Sequence, residues 1–213
     1  MELAKLSTFR VGGAAKNLIF ASNESEIIAA VENASNEAIL IMGAGSNLLI
    51  SDQGFDGTAI VIKSTGSSLD QDACSGGTIT VSAGENWESF VQRTVEQGFS
   101  GLESMSGIPG TVGASPIQNI GAYGTEVNSS IKSVQLVDGT TGKSRILTNE
   151  ELKFSYRFSI LKNLTSRFII ENVTFRLKRD KNSKITNYPQ VADSLGINPG
   201  ESVSIKELRN TIL

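Results

Sequence analysis

The sequence contains no histidine and a single cysteine, and both absences restrict the chemistry that the chain can perform. It has no imidazole to act as a general base, to activate a serine or cysteine nucleophile, or to bind zinc or iron. Because Cys74 has no second cysteine to pair with, no intrachain disulfide can form, and a cytoplasmic location is expected. Any reaction must therefore depend on a bound cofactor, on arginine, tyrosine, serine or carboxylate side chains, or on residues outside this chain. No metal site is predicted.

Long hydrophobic runs and clusters of positive charge are also missing. No apolar run approaches the roughly 20 residues of a membrane-spanning helix, and the amino terminus lacks a basic-then-apolar signal pattern. Lysines and arginines are scattered and the net charge is −3, so neither a membrane nor a nucleic acid is predicted as a partner. With 39% hydrophobic and 19% charged residues over 213 positions, the composition is that of a globular protein of one or two domains.

Residues 104–125 carry no charged side chain, and we call this stretch the charge-free segment. It contains two prolines and five glycines, each of which would cost about 0.5–1 kcal/mol inside a helix or strand. We therefore interpret it as a loop whose backbone amides approach a large polar ligand, such as a phosphate-bearing cofactor. A glycine-rich hairpin connection is the alternative. The glycines are Gly107, Gly110, Gly113, Gly121 and Gly124.

A second glycine-rich stretch, residues 43–47 with the sequence Gly-Ala-Gly-Ser-Asn, directly follows a predicted buried strand at Ala38–Met42. We call it the glycine turn. Its glycines permit positive φ angles, and Ser46 and Asn47 add side-chain donors, a combination that suits a pyrophosphate. It is neither a Walker A loop nor a Gly-x-Gly-x-x-Gly fingerprint, because Leu48 takes the place of the third glycine. Since neither glycine stretch has a basic residue, together they predict a dinucleotide held by neutral amides.

The remaining pattern predicts an α+β protein with many short strands and few helices. Helices are expected from Glu24, from Trp87 to a stop at Gly98, and from a capping box at Ser204 and Glu207. Leu213 ends the chain within the pattern of this last helix. Strands are expected at 48–50, 59–62, 78–83 and 168–177, and a hairpin at 134–137 and 144–147.

Six motifs occur in a fixed order along nearly the whole chain. They are Ser-Thr-Phe-Arg-Val-Gly-Gly at 7–13, Gly-Ala-Gly-Ser-Asn-Leu-Leu at 43–49, Gly-Glu-Asn-Trp at 84–87, Gly-Leu-Glu at 101–103, the run from 108 to 124, and Phe-Ser-Tyr-Arg-Phe-Ser at 154–159. Together they resemble the UDP-N-acetylenolpyruvoylglucosamine reductase (MurB) family, the flavoenzymes of peptidoglycan precursor synthesis.

The resemblance implies an FAD-binding fold of the vanillyl-alcohol-oxidase (PCMH) type, with two α+β subdomains that hold FAD between them. These would span residues 1–63 and 64–180, and residues 181–213 would begin an incomplete substrate-binding region. The implied reaction converts UDP-N-acetylglucosamine-enolpyruvate to UDP-N-acetylmuramate with NADPH. FAD and NADPH are thus the expected cofactors, and a UDP-sugar is the expected substrate.

The resemblance also assigns roles to individual residues. In this family the arginine of Phe-x-Tyr-Arg is catalytic, which points to Arg157, because a bidentate guanidinium suits the enolate that forms beside the substrate carboxylate. An arginine stacked on aromatic rings and paired with a surface carboxylate is the alternative. Tyr156 and Tyr188 are expected at the substrate, although Tyr188 could equally be an interfacial loop tyrosine. Expected at the cofactor are Gly43, Ala44, Gly45, Ser46, Asn47, Ile108, Pro109, Gly110, Gly113, Ala114, Ser115, Ile120, Gly121 and Tyr123.

The sequence departs from the family in one respect. Family members continue into a further domain that carries a Gly-Ser-Phe-Phe motif, whose serine protonates the enolate, and no such string occurs in this sequence. The chain is therefore expected to be a truncated reductase on which the missing domain would pack. Two alternatives remain open: another FAD oxidoreductase of the same fold, and a flavin-binding fragment without catalysis.

Overall fold

The computed structural model describes residues 2–34, 37–72, 76–164, 168–183 and 187–213; Cys74 lies outside them. The described helices are α1 (Glu24–Asn33), α2 (Trp87–Glu96), α3 (Pro189–Leu195) and α4 (Ile205–Ile212). The described strands are β1 (Ala15–Ala21), β2 (Ala38–Met42), β3 (Phe55–Ile62), β4 (Ser67–Asp72), β5 (Gly76–Ser82), β6 (Phe99–Ser100), β7 (Gly121–Ala122), β8 (Thr125–Glu126), β9 (Ile131–Asp138), β10 (Lys143–Thr148) and β11 (Phe168–Arg179).

The first sheet is parallel, with the strand order β1-β3-β2. Asn23 caps α1 by accepting a hydrogen bond from the amide of Glu26 (2.9 Å), and the helix buries Ile27 and Val31. The predicted strand at residues 48–50 is wrong: these residues belong to no strand. Because β3 pairs with β2 in parallel, the chain must first return to the end of the sheet at which β2 begins, and residues 43–54 make that crossover. The apolar Ile50 packs in the core instead of extending a strand.

The second sheet is antiparallel, with the order β10-β9-β11-β5-β4 and with β6 paired to β11. The hairpin β9–β10 and the long strand β11 confirm the predictions for those stretches. Helix α2 packs on this sheet through Trp87 and Phe90, whose rings contact Phe175 of β11 at centroid distances of 6.2 and 4.9 Å. Gly98 follows α2 with a φ of +79°, which suits its predicted role as a helix stop.

A shared hydrophobic cluster joins the two sheets. It contains Ile27 and Val31 of α1, Ile60 of β3, Val137 of β9 and Ile169 of β11, all buried. The helix and the β9–β10 turn approach closely here. A Cβ added to Gly139 would lie 2.5 Å from a methyl carbon of Val31. Glycine at position 139 therefore lets α1 sit against the second sheet.

The end of the described chain forms α4, as predicted. Ser204 caps it by accepting a hydrogen bond from the amide of Glu207 (3.1 Å), and Ile205 and Leu208 are buried. Across the described residues, none of the helices is long and apolar enough to span a membrane.

The contact between α1 and Gly139 generates a stability prediction. Gly139→Ala should lower the free energy of unfolding by about 1–3 kcal/mol, because the new methyl overpacks the joint between the sheets. The measurement is chemical denaturation followed by circular dichroism. Val31→Ala removes the two obstructing methyl groups and leaves only its Cβ close to the new methyl (2.6 Å), so the double variant should lose somewhat less than the sum of the two single variants. Strictly additive losses would contradict this steric explanation.

Candidate functional site

The glycine turn and the charge-free segment lie side by side. The hydroxyl of Ser46 donates a hydrogen bond to the carbonyl of Pro109 (3.1 Å), and the side-chain Nδ2 of Asn47 donates to Oε1 of Gln118 (3.3 Å). Both segments line one cleft of about 420 Å³. An apolar cavity of about 330 Å³ between β2 and β11 adjoins it and shares Gly43 and Thr111 with it. The two stretches that the sequence singled out thus form the walls of one site.

The close approach of the two segments depends on glycine. A Cβ on Gly43 would lie 2.5 Å from the hydroxyl oxygen of Thr111. Gly45 has a φ of +65°, and a Cβ there would collide with the carbonyl oxygen of Leu6. Because any larger residue would push the turn away from its neighbours, these glycines bring backbone amides to the cleft surface.

Several amides at this surface have no protein acceptor. Among the described residues, no acceptor is hydrogen-bonded to the amides of Ala44, Gly45, Ser46 and Asn47, nor to those of Gly110 and Thr111. A run of free amides in a turn is a recognised cradle for phosphate oxygens. The arrangement has the donors that a pyrophosphate requires.

Cations also lie near the glycine turn, whose ligand the sequence predicts to be held by neutral amides. A second cleft of about 490 Å³ meets the glycine turn at Gly43 and Ala44, and it is lined by Lys5, Arg10 and Lys63. Lys162 lines the main cleft. These cations come from segments far apart in the sequence, so neither glycine stretch alone could reveal them.

Arg157 lies at the Gly121 end of the charge-free segment. Its Nη2 donates a hydrogen bond to the carbonyl of Gly121 (3.0 Å), and its guanidinium carbon lies 5.8 Å from the centroid of the Tyr156 ring. Arg157 has a φ of +53°, and Lys162 donates from Nζ to its carbonyl oxygen (2.7 Å). The strained backbone is therefore held in place, and the guanidinium keeps further N–H donors available.

Three exposed tyrosines surround this end of the site. Tyr123 and Tyr188 are each 39% exposed and make an edge-to-face contact with centroids 5.4 Å apart. Tyr156 is 81% exposed. Although Tyr188 is far from Tyr123 in the sequence, the fold brings the two rings together beside the predicted ring-binding residues.

Most predicted cofactor residues line the main cleft, and three do not. Gly113 lies behind it, where a Cβ would be 2.5 Å from the Cβ of Ala83. Gly121 and Tyr123 continue the wall toward Arg157. The predicted residues that line the cleft are Gly43, Ala44, Gly45, Ser46, Asn47, Ile108, Pro109, Gly110, Ala114, Ser115 and Ile120. Within the described ranges, no group of three histidine, cysteine or acidic residues could hold a metal.

Sequence reasoning missed Asn119 and Ser159, which fix the charge-free segment to the Phe-Ser-Tyr-Arg-Phe-Ser motif. Asn119 is fully buried, and its Nδ2 donates to the carbonyl of Ser155 (3.0 Å) and to Glu126 (2.9 Å). The hydroxyl of Ser159 donates to the carbonyl of Ile117 (2.7 Å). The sequence signal for Asn119 was an amide side chain within an uncharged stretch, because a buried amide requires hydrogen-bond partners.

Comparisons with known proteins define the class. The chain belongs to the family of FAD binding domains, whose model matches residues 15–148. It is 44% identical to UDP-N-acetylenolpyruvoylglucosamine reductase from Streptomyces avermitilis over 99% of this chain, and 38% identical to that of Thermobifida fusca over 100%. It spans 57% and 60% of the lengths of these two relatives. The resemblance drawn from the motifs is thereby confirmed.

Solved structures agree on the fold. The MurB reductase from Thermus caldophilus superposes with a TM-score of 0.67 at 27% identity, over 84% of this chain and 62% of that one. Cholesterol oxidase from B. sterolicum shares the fold alone, with a TM-score of 0.57 at 14% identity over 77% of this chain and 34% of that one. The predicted FAD-binding fold is confirmed, and the free amides beside glycines too close-packed for a Cβ fit the pyrophosphate of FAD.

The contact between Gly43 and Thr111 generates a binding prediction. Gly43→Ala should weaken FAD binding about tenfold or more, because the methyl pushes the glycine turn away from the charge-free segment. The measurement is titration of apoprotein with FAD, followed by flavin fluorescence. Thr111→Ala removes the obstructing atoms, so the Gly43→Ala/Thr111→Ala double variant should return close to the affinity of Thr111→Ala alone. A double variant that binds FAD no better than Gly43→Ala would show that the steric explanation is wrong.

Proposed function

We propose that this chain is the FAD-binding part of an NADPH-dependent reductase that converts UDP-N-acetylglucosamine-enolpyruvate to UDP-N-acetylmuramate. The observation that carries the proposal is the convergence of the glycine turn and the charge-free segment on one cleft, with Arg157 hydrogen-bonded to Gly121, the residue that follows the cleft residue Ile120. The names of the relatives supply the substrate class, because they are reductases of a UDP-sugar enolpyruvyl ether.

FAD would lie against the free amides of the glycine turn, with Ser46 and Asn47 near its pyrophosphate. Bound there, it supplies hydride transfer between NADPH and the enolpyruvyl group. The cations Lys5, Arg10 and Lys63 add positive potential beside the same turn. Ile108 and Ile120 contribute apolar surface to the opposite wall. None of the proposed steps requires a side chain in the cleft to change its charge.

Arg157 would stabilise the negative charge that develops on the substrate when the double bond is reduced. A guanidinium is always charged and offers two parallel N–H donors, which match a carboxylate or an enolate beside it. The hydrogen bond to Gly121 and the Lys162 contact hold Arg157 before substrate arrives. Preorganised donors of this kind stabilise a transition state because they need no reorientation.

Tyr156 and Tyr188 would contact the substrate beside Arg157, and Tyr123 would lie at the flavin ring. Their rings are partly or largely exposed, and each pairs an apolar body with a phenolic hydroxyl, as in surfaces that bind polar ligands. The curated relatives extend beyond the matched length, and a further region of that kind would pack on this exposed end and supply the proton donor. Subdomains at 1–63 and 64–180 and a cytoplasmic location complete the proposal. The break between the two sheets after β3 supports that first boundary.

The deciding experiment combines a flavin spectrum with an NADPH oxidation assay. Purified protein should carry FAD, and any NADPH oxidation, by this chain alone or together with the further region, should require UDP-N-acetylglucosamine-enolpyruvate. Oxidation that is independent of this substrate would favour another FAD oxidoreductase. Bound FAD without any oxidation would favour a flavin-binding fragment that needs a further region. Protein that binds no FAD would refute the assignment of both glycine segments.

Arg157 generates a catalytic prediction. In a protein with measurable reductase activity, Arg157→Lys should lower turnover roughly a hundredfold, because an ammonium cannot form the bidentate contact. FAD affinity should stay the same, which separates the effect from damage to the cofactor site. Arg145→Lys, on the distant β10 hairpin, is the matched control and should leave turnover unchanged. Near-normal turnover in Arg157→Lys would contradict the role.

A further inference from the structure

The start of α2 holds the first half of the charge-free segment at four points. The indole of Trp87 donates to the carbonyl of Met105 (3.0 Å), and the amide of Trp87 donates to the carbonyl of Gly110 (3.2 Å). The amide of Val112 donates to the carbonyl of Glu85 (2.9 Å). The fourth bond is the only one of these made by a charged group: Glu88 accepts a hydrogen bond from the amide of Gly107 (2.6 Å).

Glu88 also connects this segment to α4. Its second carboxylate oxygen lies 2.5 Å from Nη2 of Arg209, so one side chain contacts the charge-free segment and the terminal helix at once. The Arg209 side chain is only 12% exposed, and that of Glu88 is 30% exposed. Hydrogen bonds to charged groups that are partly shielded from solvent are among the stronger ones in proteins.

Arg209 depends on this contact. Its Nη1 is buried and, within the described part of the chain, has no hydrogen-bond partner, so Glu88 is the carboxylate that compensates its charge. Leu213 approaches from the same helix: a Cβ on Gly107 would lie 3.2 Å from its Cδ2. Gly107 itself has a φ of +76°. The first turn of the charge-free segment is therefore enclosed by α2 on one side and α4 on the other.

We propose that Glu88 is a positioning residue for the FAD site and that Arg209 of α4 keeps its carboxylate aimed at Gly107. Helix α4, which lies within the predicted start of the substrate-binding region at 181–213, then acts on the cofactor site as well. A shift of α4 changes the position of Gly107 and, through Pro109 and Gly110, the wall that faces the glycine turn. The inference rests on the proposed placement of FAD against this wall.

The test compares FAD affinity, the visible circular dichroism of bound FAD and the melting temperature of the apoprotein across a variant series. Glu88→Ala should weaken FAD binding about tenfold or more, because it removes a charged hydrogen bond at the wall. Glu88→Gln keeps an oxygen acceptor for Gly107 and should lose less affinity. Arg209→Lys should stay close to the original protein, whereas Arg209→Met should resemble Glu88→Gln.

The coupling between the two residues separates positioning from general stability. The Glu88→Gln/Arg209→Met double variant should bind FAD about as well as either single variant, since both act through one contact. The dichroism of bound FAD should change in Glu88→Ala and be restored in Glu88→Gln. Glu96→Ala, on the same helix and paired with Gln92, is the matched control and should leave FAD affinity unchanged.

Three outcomes would overturn the proposal, and they differ in what else they affect. Tight FAD binding by the original protein with unchanged affinity and dichroism in Glu88→Ala and Glu88→Gln would overturn the positioning role alone. A lower melting temperature without change in affinity would have the same meaning. Failure of the original protein to bind FAD would overturn this inference together with the proposed function.

Discussion

The candidate site depends on the tight packing of the glycine turn, whose neighbours leave no room for a side chain. Gly43 faces Thr111, and Gly45 faces the carbonyl of Leu6, at separations that exclude even a methyl group. The consequence is chemical as well as steric, because the same backbone presents amides that have no acceptor among the residues the structure describes. Unsatisfied donors are costly when water is excluded, so a phosphate-bearing ligand stabilises the protein that binds it.

A segment rich in glycine and without charge would ordinarily be mobile, yet here it is held along its whole length. The start of α2 binds residues 105–112 through backbone and side-chain hydrogen bonds, and in the second half Asn119 donates to the carbonyl of Ser155 while Ile117 accepts from Ser159. These partners come from motifs before and after the segment in the sequence. The motifs before and after the segment therefore support the same wall of the cleft, each at a different point.

The sequence predicted those parts of the fold whose signals are local. Helices α1, α2 and α4 were predicted from a cap followed by a buried stripe, and Asn23, Asn86 and Ser204 make the corresponding capping bonds. Strands β1 and β4 were missed. The first has four or more residues that are at least partly exposed, and the second has a polar sequence at a sheet edge, so neither shows a clear apolar alternation. The strand predicted at residues 48–50 is wrong because the apolar side chains of an irregular crossover can also pack in the core.

The same distinction between local and long-range signals explains the charges. Neutral amides were predicted from the residues within the two glycine stretches, neither of which contains a cation. Lys5, Arg10 and Lys63 come close to the glycine turn only when the first sheet has formed. The two kinds of donor do different work. Amides in a close-packed turn have fixed directions and are little affected by salt, so they set where a pyrophosphate sits. Exposed cations are screened and individually weak, but their field extends over several ångströms and attracts an anion to the turn. In such a dinucleotide site the backbone fixes the position of the pyrophosphate, and the charged side chains increase the rate at which the ligand meets the site. Glycines rather than lysines therefore occupy the point of closest approach.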